Sequence, residues 1–253
     1  MPPGRSWSRR SERRARAGGD KGRDDRKFLE ALHFFTVHNI TRRALPAEFG
    51  HWNSVWKRLA VEPAGCFRGH AGHLGGNERH RAPGSDGRFD DRARAGLGGR
   101  RKRGQQGQAL GRSRGGFSTK IHLKFDFEGL PLAFHLTGGE KSDSRNFAIL
   151  LDIGPDITPR AVLGDKGYDA KTNRAAARRR GICPAIPYRE TGAAKPKFFP
   201  KILYKGRAHA EQGVGKLKRF KRIALRCEKT AQNFTAFVSF VCTLILVKSV
   251  HTV

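Results

Sequence analysis

Residues 117–125 read Phe-Ser-Thr-Lys-Ile-His-Leu-Lys-Phe, a run in which apolar or β-branched side chains occupy every second position. Since successive side chains of a strand point to opposite faces, this alternation predicts a half-buried β-strand. The turn sequence Asp-Phe-Glu-Gly follows at 126–129, and residues 131–137 predict a second strand that pairs with the first. We therefore expect a β-hairpin near the middle of the chain.

C-terminal to the hairpin, the sequence alternates between helical and strand patterns. We expect a helix over 144–151, a strand over 161–164, a basic helix over 169–180, a strand over 182–186 and two last helices, roughly over 205–222 and 230–249. A polar, lysine-rich loop over 189–203 precedes the last two helices. Strands that alternate with helices are typical of an α/β fold.

The sequence before the hairpin divides into three parts. Residues 1–24 form a basic leader that we expect to be disordered, and residues 25–61 contain helical patterns over 26–38 and 52–59. Because these helices have basic flanks, they predict either a helix-turn-helix module that binds DNA or a small bundle that only packs on the main domain. Residues 62–103 contain no Val, Ile, Met, Tyr or Trp and show no period, so we expect this stretch to be disordered by itself.

The composition favours a polyanion as the partner. The 253 residues include 51 Lys and Arg against 22 Asp and Glu, which gives a formal net charge of +29. Nucleic acid is the first candidate because neutralising its phosphates releases counterions, whereas acidic protein surfaces and anionic lipids are weaker alternatives. Four scattered cysteines without a C-x-x-C pair argue against a disulfide framework and fit a reducing cytoplasm. The longest apolar run, 234–247, is short for a membrane span and predicts a buried core helix.

Two groups of polar residues carry the candidate chemistry. In the first, Gly-Asp-Lys-Gly-Tyr, Asp165 follows a short apolar strand at the edge where open α/β sheets usually bind ligands. The second is a helical stripe at spacings of three, four and seven residues, formed by Tyr204, Arg207, Glu211 and Lys218. A carboxylate on a strand and another on a helix can together hold divalent cations that activate water. The alternative is an ordinary surface ion pair between Arg207 and Glu211, with Asp165 capping a turn.

The stripe fits the pattern Y-x2-R-x3-E-x6-K, which resembles the signature of bacterial insertion-sequence transposases of the DDE type. Gly-Asp-Lys-Gly-Tyr is similar to the second Asp motif of that family, and residues 108–122 and 219–229 resemble its flanking segments. The resemblance covers residues 104–253 nearly end to end, and 25–58 in addition. It implies a ribonuclease H-like catalytic domain over 104–253, which cleaves and joins DNA strands at the terminal inverted repeats of an insertion sequence.

The same resemblance implies roles for individual residues. Asp165 and Glu211 would be catalytic ligands of two Mg²⁺ or Mn²⁺ ions, and the partner would be double-stranded DNA at the element ends and at the target, with no membrane involved. Seven side chains would contact this DNA: Tyr204, Arg207, Lys216, Lys218, Arg219, Lys221 and Arg222. A homodimer on paired ends and a cytoplasmic, nucleoid-associated location are further implications of the family.

The family's first Asp is not identifiable in this sequence. It should follow a strand before the hairpin, in the stretch 62–103, where Asp90 and Asp91 are weak candidates. Residues 88–95 can be written with synonymous codons that, read one nucleotide later, encode Asp-Ser-Thr-Ile-Val-Arg-Ala, and residues 74–88 likewise give a run ending in Leu-Val-Gln-Met-Val-Asp. We therefore predict a reading frame lost near residue 58 and regained near residue 104, an incomplete core without its first strand, and no transposition by this chain.

A different class of function uses the same basic surface. A non-catalytic DNA-binding remnant would occupy element ends or titrate active transposase, and only the first Asp separates this interpretation from the enzyme. A basic RNA-binding or ribosome-associated protein would explain the charge but not the spacing from Tyr204 to Lys218.

Overall fold

The computed structural model describes residues 24–61, 108–113, 115–189 and 199–251. Nearly all of the basic leader (1–23), the whole stretch 62–103 and both weak first-Asp candidates, Asp90 and Asp91, lie outside the described residues. The predictions made for them stay predictions.

The N-terminal part consists of helices α1 (Asp25–His38) and α2 (Trp52–Val61), joined by 3-10 turns at Arg42–Ala44 and Ala47–Phe49. α1 begins where the Asp24 carboxylate accepts a hydrogen bond from the Lys27 amide at 2.9 Å. Its buried face lies in the same hydrophobic core as the hairpin and the C-terminal helix. This packing agrees with the bundle alternative, and contact of these helices with DNA stays a prediction.

The predicted hairpin is present, within an antiparallel sheet of strands β1 (Gly111–Ser113), β2 (Gly116–Phe125) and β3 (Pro131–Gly138) in the order β1-β2-β3. β2 pairs with β3 from Thr119 opposite Gly138 to Phe125 opposite Pro131, with an irregularity after Lys124. β1, which the sequence did not predict, pairs only with the first three residues of β2.

Residues 121–125 of β2 are buried on both faces, whereas Phe117 at its beginning is 50% exposed, which corrects the prediction of a half-buried strand. Ile121, Leu123 and Phe125 are at most 1% exposed and lie in the main core. His122 and Lys124 on the other face are 3% and 4% exposed. The Lys124 ammonium is accommodated there because it donates to two backbone carbonyl groups at the end of the following helix, at 2.9 and 3.3 Å.

The remaining elements are α3 (Asp143–Asp152), β4 (Ala161–Leu163), α4 (Lys171–Arg179), β5 (Cys183–Ala185), α5 (Lys201–Lys205), α6 (Arg207–Lys218), α7 (Lys221–Ala224) and α8 (Ala231–His251). α3 begins after Ser142, not at Ser144 as predicted, and Ser142 makes no side-chain capping bond. β4 and β5 form a separate parallel sheet. The mixture of helices and strands is consistent with the predicted α/β fold, although the described strands form two sheets.

The predicted helix over 205–222 is interrupted at Gly206 and at Phe220. α8 is longer than predicted, and by length and composition it is the one helix of the described residues that could cross a membrane. One side of α8 is a core element, since Phe234, Phe237 and Val241 are at most 1% exposed. Residues on the other side are mostly of intermediate burial, and the exposed ones lie chiefly in the last two turns.

Candidate functional site

Asp165 lies at the carboxyl end of β4, immediately before a 3-10 turn. Its Oδ1 atom accepts a hydrogen bond from the Gly167 amide at 2.8 Å, so the carboxylate caps the turn, as one of the two interpretations predicted. The side chain is partly buried.

The turn after Asp165 is fixed by an arginine from the beginning of the predicted polar loop. Arg189 donates from Nε to the Lys166 carbonyl at 3.0 Å and from Nη2 to the Gly167 carbonyl at 3.2 Å. Its backbone amide donates to Asp169 Oδ2 at 2.6 Å, while Asp169 Oδ1 accepts from Arg174 at 2.9 Å. Both oxygens of Asp169 are engaged, so this carboxylate stabilises the turn.

The stripe that contains Glu211 does not lie on one continuous helix. Tyr204 belongs to α5, where its ring packs edge-on against Phe199 with centroids 5.3 Å apart, and Gly206 separates it from α6. On α6, Arg207 Nη2 lies 2.8 Å from Glu211 Oε1, and the two side chains are 30% and 60% exposed. This is the i,i+4 ion pair of the alternative interpretation. The Nε atom of Arg207 is buried and has no hydrogen-bond partner among the described residues.

α6 packs directly on the turn of the hairpin. A Cβ atom at Gly213 would lie 2.5 Å from the ring of Phe125, and one at Gly129, whose φ is +78°, would lie 2.3 Å from the carbonyl oxygen of His209. His209 donates from Nδ1 to the carbonyl of Phe127 at 2.5 Å, which fixes the imidazole tautomer. Because any side chain at these two glycines would push the elements apart, they set the position of α6.

Phe127 also contacts the second sheet. Its ring packs against the buried cluster formed by Leu163 of β4 and Ala185 of β5, and it lies perpendicular to the ring of His209, with centroids 6.0 Å apart. The end of β4 and the first turn of α6 therefore pack on the same aromatic side chain. Asp165 lies two residues after Leu163, and Glu211 lies two residues after His209. The packing thus brings together the segments that carry Asp165 and Glu211.

Four of the seven predicted DNA-contacting residues are exposed near the end of α6: Lys216, Lys218, Arg219 and Lys221. Acidic residues are scarce around them, since residues 195–229 contain 12 basic side chains and two acidic ones. We call the surface formed by Lys216, Lys218, Arg219 and Lys221 the basic ridge. Its charge suits it to a phosphate backbone.

Arg222 does not belong to the basic ridge. The residue is 4% exposed and donates to Glu228 Oε1 at 2.7 Å and to the Ile40 carbonyl at 3.0 Å. Its guanidinium also lies within 5.3 Å of the ring centres of Phe35 and Phe237. The prediction that Arg222 contacts DNA is wrong, because this buried ion pair holds α7 against α1 and α8.

A second buried arginine was also missed by the sequence analysis. Arg226 donates to the carbonyl groups of Gln108 and Ala109, each at 2.6 Å, and burial lowers its pKa to about 10. The sequence does contain one signal that an arginine of this segment is buried. Glu228 is the sole acidic residue between 212 and 229, and a lone carboxylate in a basic run is the natural partner for one buried arginine, which in the structure is Arg222.

The described residues do not complete a metal site. Asp165 and Glu211 offer the oxygen donors that Mg²⁺ and Mn²⁺ prefer. However, the described part of the chain holds no group of three or more His, Cys, Asp or Glu side chains that could bind a metal ion. Asp90 and Asp91 lie outside it. The two candidate carboxylates that the structure describes would by themselves leave a pair of ions short of protein ligands.

A cavity of about 450 Å³ lies between β3 and α8, and neither Asp165 nor Glu211 is among its lining residues. Its walls include Phe134 and His135 from the strand and Ser239 and Cys242 from the helix. The cavity therefore has no part in the predicted chemistry.

The amino-acid sequence matches the family model of the transposase DDE domain over residues 81–246. A Burkholderia cepacia protein named as a candidate transposase for insertion sequence element IS402 is 35% identical over 138 residues, which cover 50% of this chain and 62% of that protein. A Brucella ovis protein, named likewise for element IS6501, is 36% identical over 129 residues, which cover 51% of this chain and 97% of that protein. No solved structure matches the chain.

Proposed function

The chain belongs to the transposase DDE domain family, together with insertion-sequence transposases, and we propose that it descends from an enzyme that cleaves and joins DNA strands at terminal inverted repeats. In this proposal Asp165 and Glu211 are two of the metal-binding carboxylates of a ribonuclease H-like core. The observation that supports it most is the packing of both carboxylate-bearing segments on Phe127. Enzymes of this family generally use divalent metal ions.

We propose that this chain binds double-stranded DNA without cleaving it. The exposed cations of the basic ridge supply the electrostatic attraction, which needs no catalytic residue. Cleavage needs carboxylates held to within about 0.5 Å, and the described residues contribute two. A chain of this kind would occupy element ends or titrate an active transposase. Pairing as a homodimer and association with the nucleoid are proposed from the family alone.

We propose that a change of reading frame removed the family's first Asp from this chain. The family match begins at residue 81, inside the stretch 62–103, so it places the proposed change of frame closer to residue 81 than to residue 104 if the matched residues are in frame. Sequencing the gene decides it directly. If the codons of residues 88–95, shifted by one nucleotide, do not encode Asp-Ser-Thr, the frame hypothesis is wrong.

DNA binding is tested with a triple substitution in the basic ridge, Lys216→Ala, Arg219→Ala and Lys221→Ala. Fluorescence anisotropy with a labelled 30-base-pair duplex gives the affinity at several salt concentrations. Because each lost phosphate contact removes about 0.9 from the slope of log K against log salt, the slope should become shallower by about three.

The matched control removes the same charge from α4, by alanine substitution of the exposed residues Lys171, Arg178 and Arg179. It should leave the slope unchanged. Equal losses in the two triple variants would mean that the attraction is spread over the whole surface and that the basic ridge is not a site. Glu211→Gln should preserve binding, and the unsubstituted chain should give no strand-transfer product with Mg²⁺ or Mn²⁺.

A further inference from the structure

The cavity between β3 and α8 has the dimensions of a small-molecule site. Three described segments line it: residues 131–135 of β3, residues 153–155 after α3, and one side of α8 from Thr235 to Leu246. Its volume of about 450 Å³ lies within the usual range of ligand pockets, about 300–1,000 Å³. The cavity is therefore large enough to hold an organic molecule.

The charge of the walls restricts the class of ligand. None of the described residues that line the cavity is Lys, Arg, Asp or Glu, although these four types make up 29% of the chain. His135 and Cys242 are the described lining residues that can ionise. Burial lowers the pKa of the imidazole and raises the pKa of the thiol to about 12, so both are uncharged at neutral pH. Because an ion would lose its hydration here without a counter-charge, the walls favour an uncharged ligand.

Most of the wall is apolar, which sets the character of the ligand's body. Leu132 and Phe134 contribute from the strand, Ile153 from the segment after α3, and Leu246 from α8. Water fills such a cavity poorly, because each molecule needs about two to four polar partners. An apolar molecule instead gains free energy by leaving water for these contacts.

α8 also contributes hydroxyl groups that can orient a ligand. Thr235 donates to the Ala231 carbonyl at 2.8 Å and Thr243 donates to the Ser239 carbonyl at 3.0 Å, so these two hydroxyls keep only acceptor lone pairs. The Ser239 hydroxyl lies one turn from each of them and makes no hydrogen bond within the described residues. It can both donate to and accept from one polar group of a ligand.

A buried cation close to the cavity does not call for an anionic ligand. Lys124 Nζ lies 3.8 Å from the position that a Cβ atom on Gly154 would take, but Lys124 itself does not line the cavity. Its charge is compensated by the carbonyl groups of Leu151 and Ile153, which accept from it at 3.3 and 2.9 Å. The remaining field favours an oxygen with a partial negative charge at this end of the ligand.

We propose that the cavity between β3 and α8 is a binding site for one uncharged, mainly apolar molecule that carries a hydroxyl or carbonyl oxygen. The volume of 450 Å³ corresponds to about 15 non-hydrogen atoms, when each takes about the 30 Å³ of a water molecule. The apolar body would lie against Phe134 and Leu246, and the polar group would pair with Ser239. Because the site shares no residue with the basic ridge or the candidate carboxylates, the inference does not depend on DNA binding.

The test uses the full chain and the uncharged dye N-phenyl-1-naphthylamine, whose size matches the cavity and whose fluorescence rises in apolar surroundings. Saturable one-to-one binding is expected, with a Kd of about 100 μM or below. The affinity should not depend on salt, since no charge pair forms. Hydrogen exchange should slow at residues 131–135 and around Ser239 of α8, and not at residues 183–185 of β5.

A charged competitor tests the class of ligand. The anion 8-anilinonaphthalene-1-sulfonate has the same two aromatic parts and an added sulfonate. It should displace the uncharged dye at least about tenfold less effectively than unlabelled N-phenyl-2-naphthylamine does, because the cavity offers its charge no partner. Equal displacement by the two competitors would show that the site is not selective for uncharged molecules.

Two matched substitutions on α8 locate the dye. Ser239→Phe places a ring inside the cavity and should weaken dye binding at least about tenfold, because the ring takes the volume that the dye needs. Gln232→Phe adds the same ring at an exposed position that does not line the cavity, and it should leave the affinity unchanged. If Ser239→Phe does not fold, as judged by circular dichroism, the smaller enlargement Thr243→Leu takes its place.

Four outcomes would each overturn the proposal. They are no saturable dye binding by the full chain, equal affinity of the parent and of the folded cavity variant, equal displacement by the two competitors, and slowed exchange confined to residues outside the cavity. The absence of dye binding would mean that the cavity is closed or filled in the full chain. None of these outcomes bears on the DNA-binding experiment.

Discussion

The substitution Glu228→Gln is expected to destabilise the fold severely, although it removes no atom from the core. The Glu228 and Arg222 side chains are 1% and 5% exposed, and their charged atoms lie 2.6 and 2.7 Å apart. Gln would leave the guanidinium buried without a counter-charge, because the Ile40 carbonyl that also accepts from it is neutral. Breaking a buried pair by removing one partner costs about 3–5 kcal/mol.

Urea denaturation followed by tryptophan fluorescence measures this loss, since Trp56 lies in the same cluster, with its ring centre 5.9 Å from Arg222. The matched control is Glu30→Gln. It breaks the Arg26–Glu30 pair, which spans 3.0 Å but whose side chains are 90% and 51% exposed. Exposed pairs contribute little, so this variant should change the free energy of unfolding by less than about 0.5 kcal/mol.

The reasoning also predicts the behaviour of a double variant. Replacing Arg222 with Met and Glu228 with Leu should cost less than Glu228→Gln alone, because no unpaired charge stays buried. If Glu228→Gln lowers the free energy of unfolding by under about 1 kcal/mol, the pair is not buried in solution and the argument fails. A variant of Arg222 that weakens DNA binding at unchanged stability would restore the original assignment of this residue.

Three further predictions concern other parts of the fold. Burial lowers the pKa of His122 to about 4, whereas an unfolded histidine has a pKa near 6.5, so the unfolded state binds more protons between these two pH values. The free energy of unfolding should therefore fall by about 3 kcal/mol as the pH drops from 6.5 to 4. Urea titrations at several pH values measure this fall, and His122→Asn should flatten the profile. Gly213→Ala should destabilise the fold by about 1–2 kcal/mol through its clash with Phe125, whereas Gly215→Ala on the same helix, with open space around it, should stabilise it by about 0.5–1 kcal/mol. Arg189→Ala should speed hydrogen exchange at Gly167, and unchanged exchange would show that the guanidinium does not hold the turn.

The hairpin could be predicted from the sequence because its signal is local. Alternation from Phe117 to Phe125 and a glycine-containing turn define two strands without reference to the rest of the chain. The burial of Lys124 could not be predicted in the same way. It depends on two carbonyl groups at the end of α3, almost 30 residues further along the chain, and on the loss of water around them.

The interruption of the last helices has the same kind of cause. The spacing of Tyr204, Arg207 and Glu211 fits a single helix, and a glycine inside a helix is an ambiguous signal. A Cβ atom at Gly206 would lie 2.5 Å from the Phe127 ring, so the packing of the hairpin turn decides the local geometry. The sequence thus placed Asp165 after a strand and Glu211 on a helix, as the structure does. That both segments pack on Phe127 could not be predicted, because this contact exists only in the tertiary fold.

The positive charge of the C-terminal part has two distinct roles, which composition does not separate. Arg222 and Arg226 face inward, where Glu228 and backbone carbonyl groups compensate for their lost hydration. Lys216, Arg219 and Lys221 face outward and add to the field around the molecule. Since only the outward charges can release counterions from DNA, the salt dependence of binding should follow the number of exposed cations on the basic ridge and not the formal charge of +29.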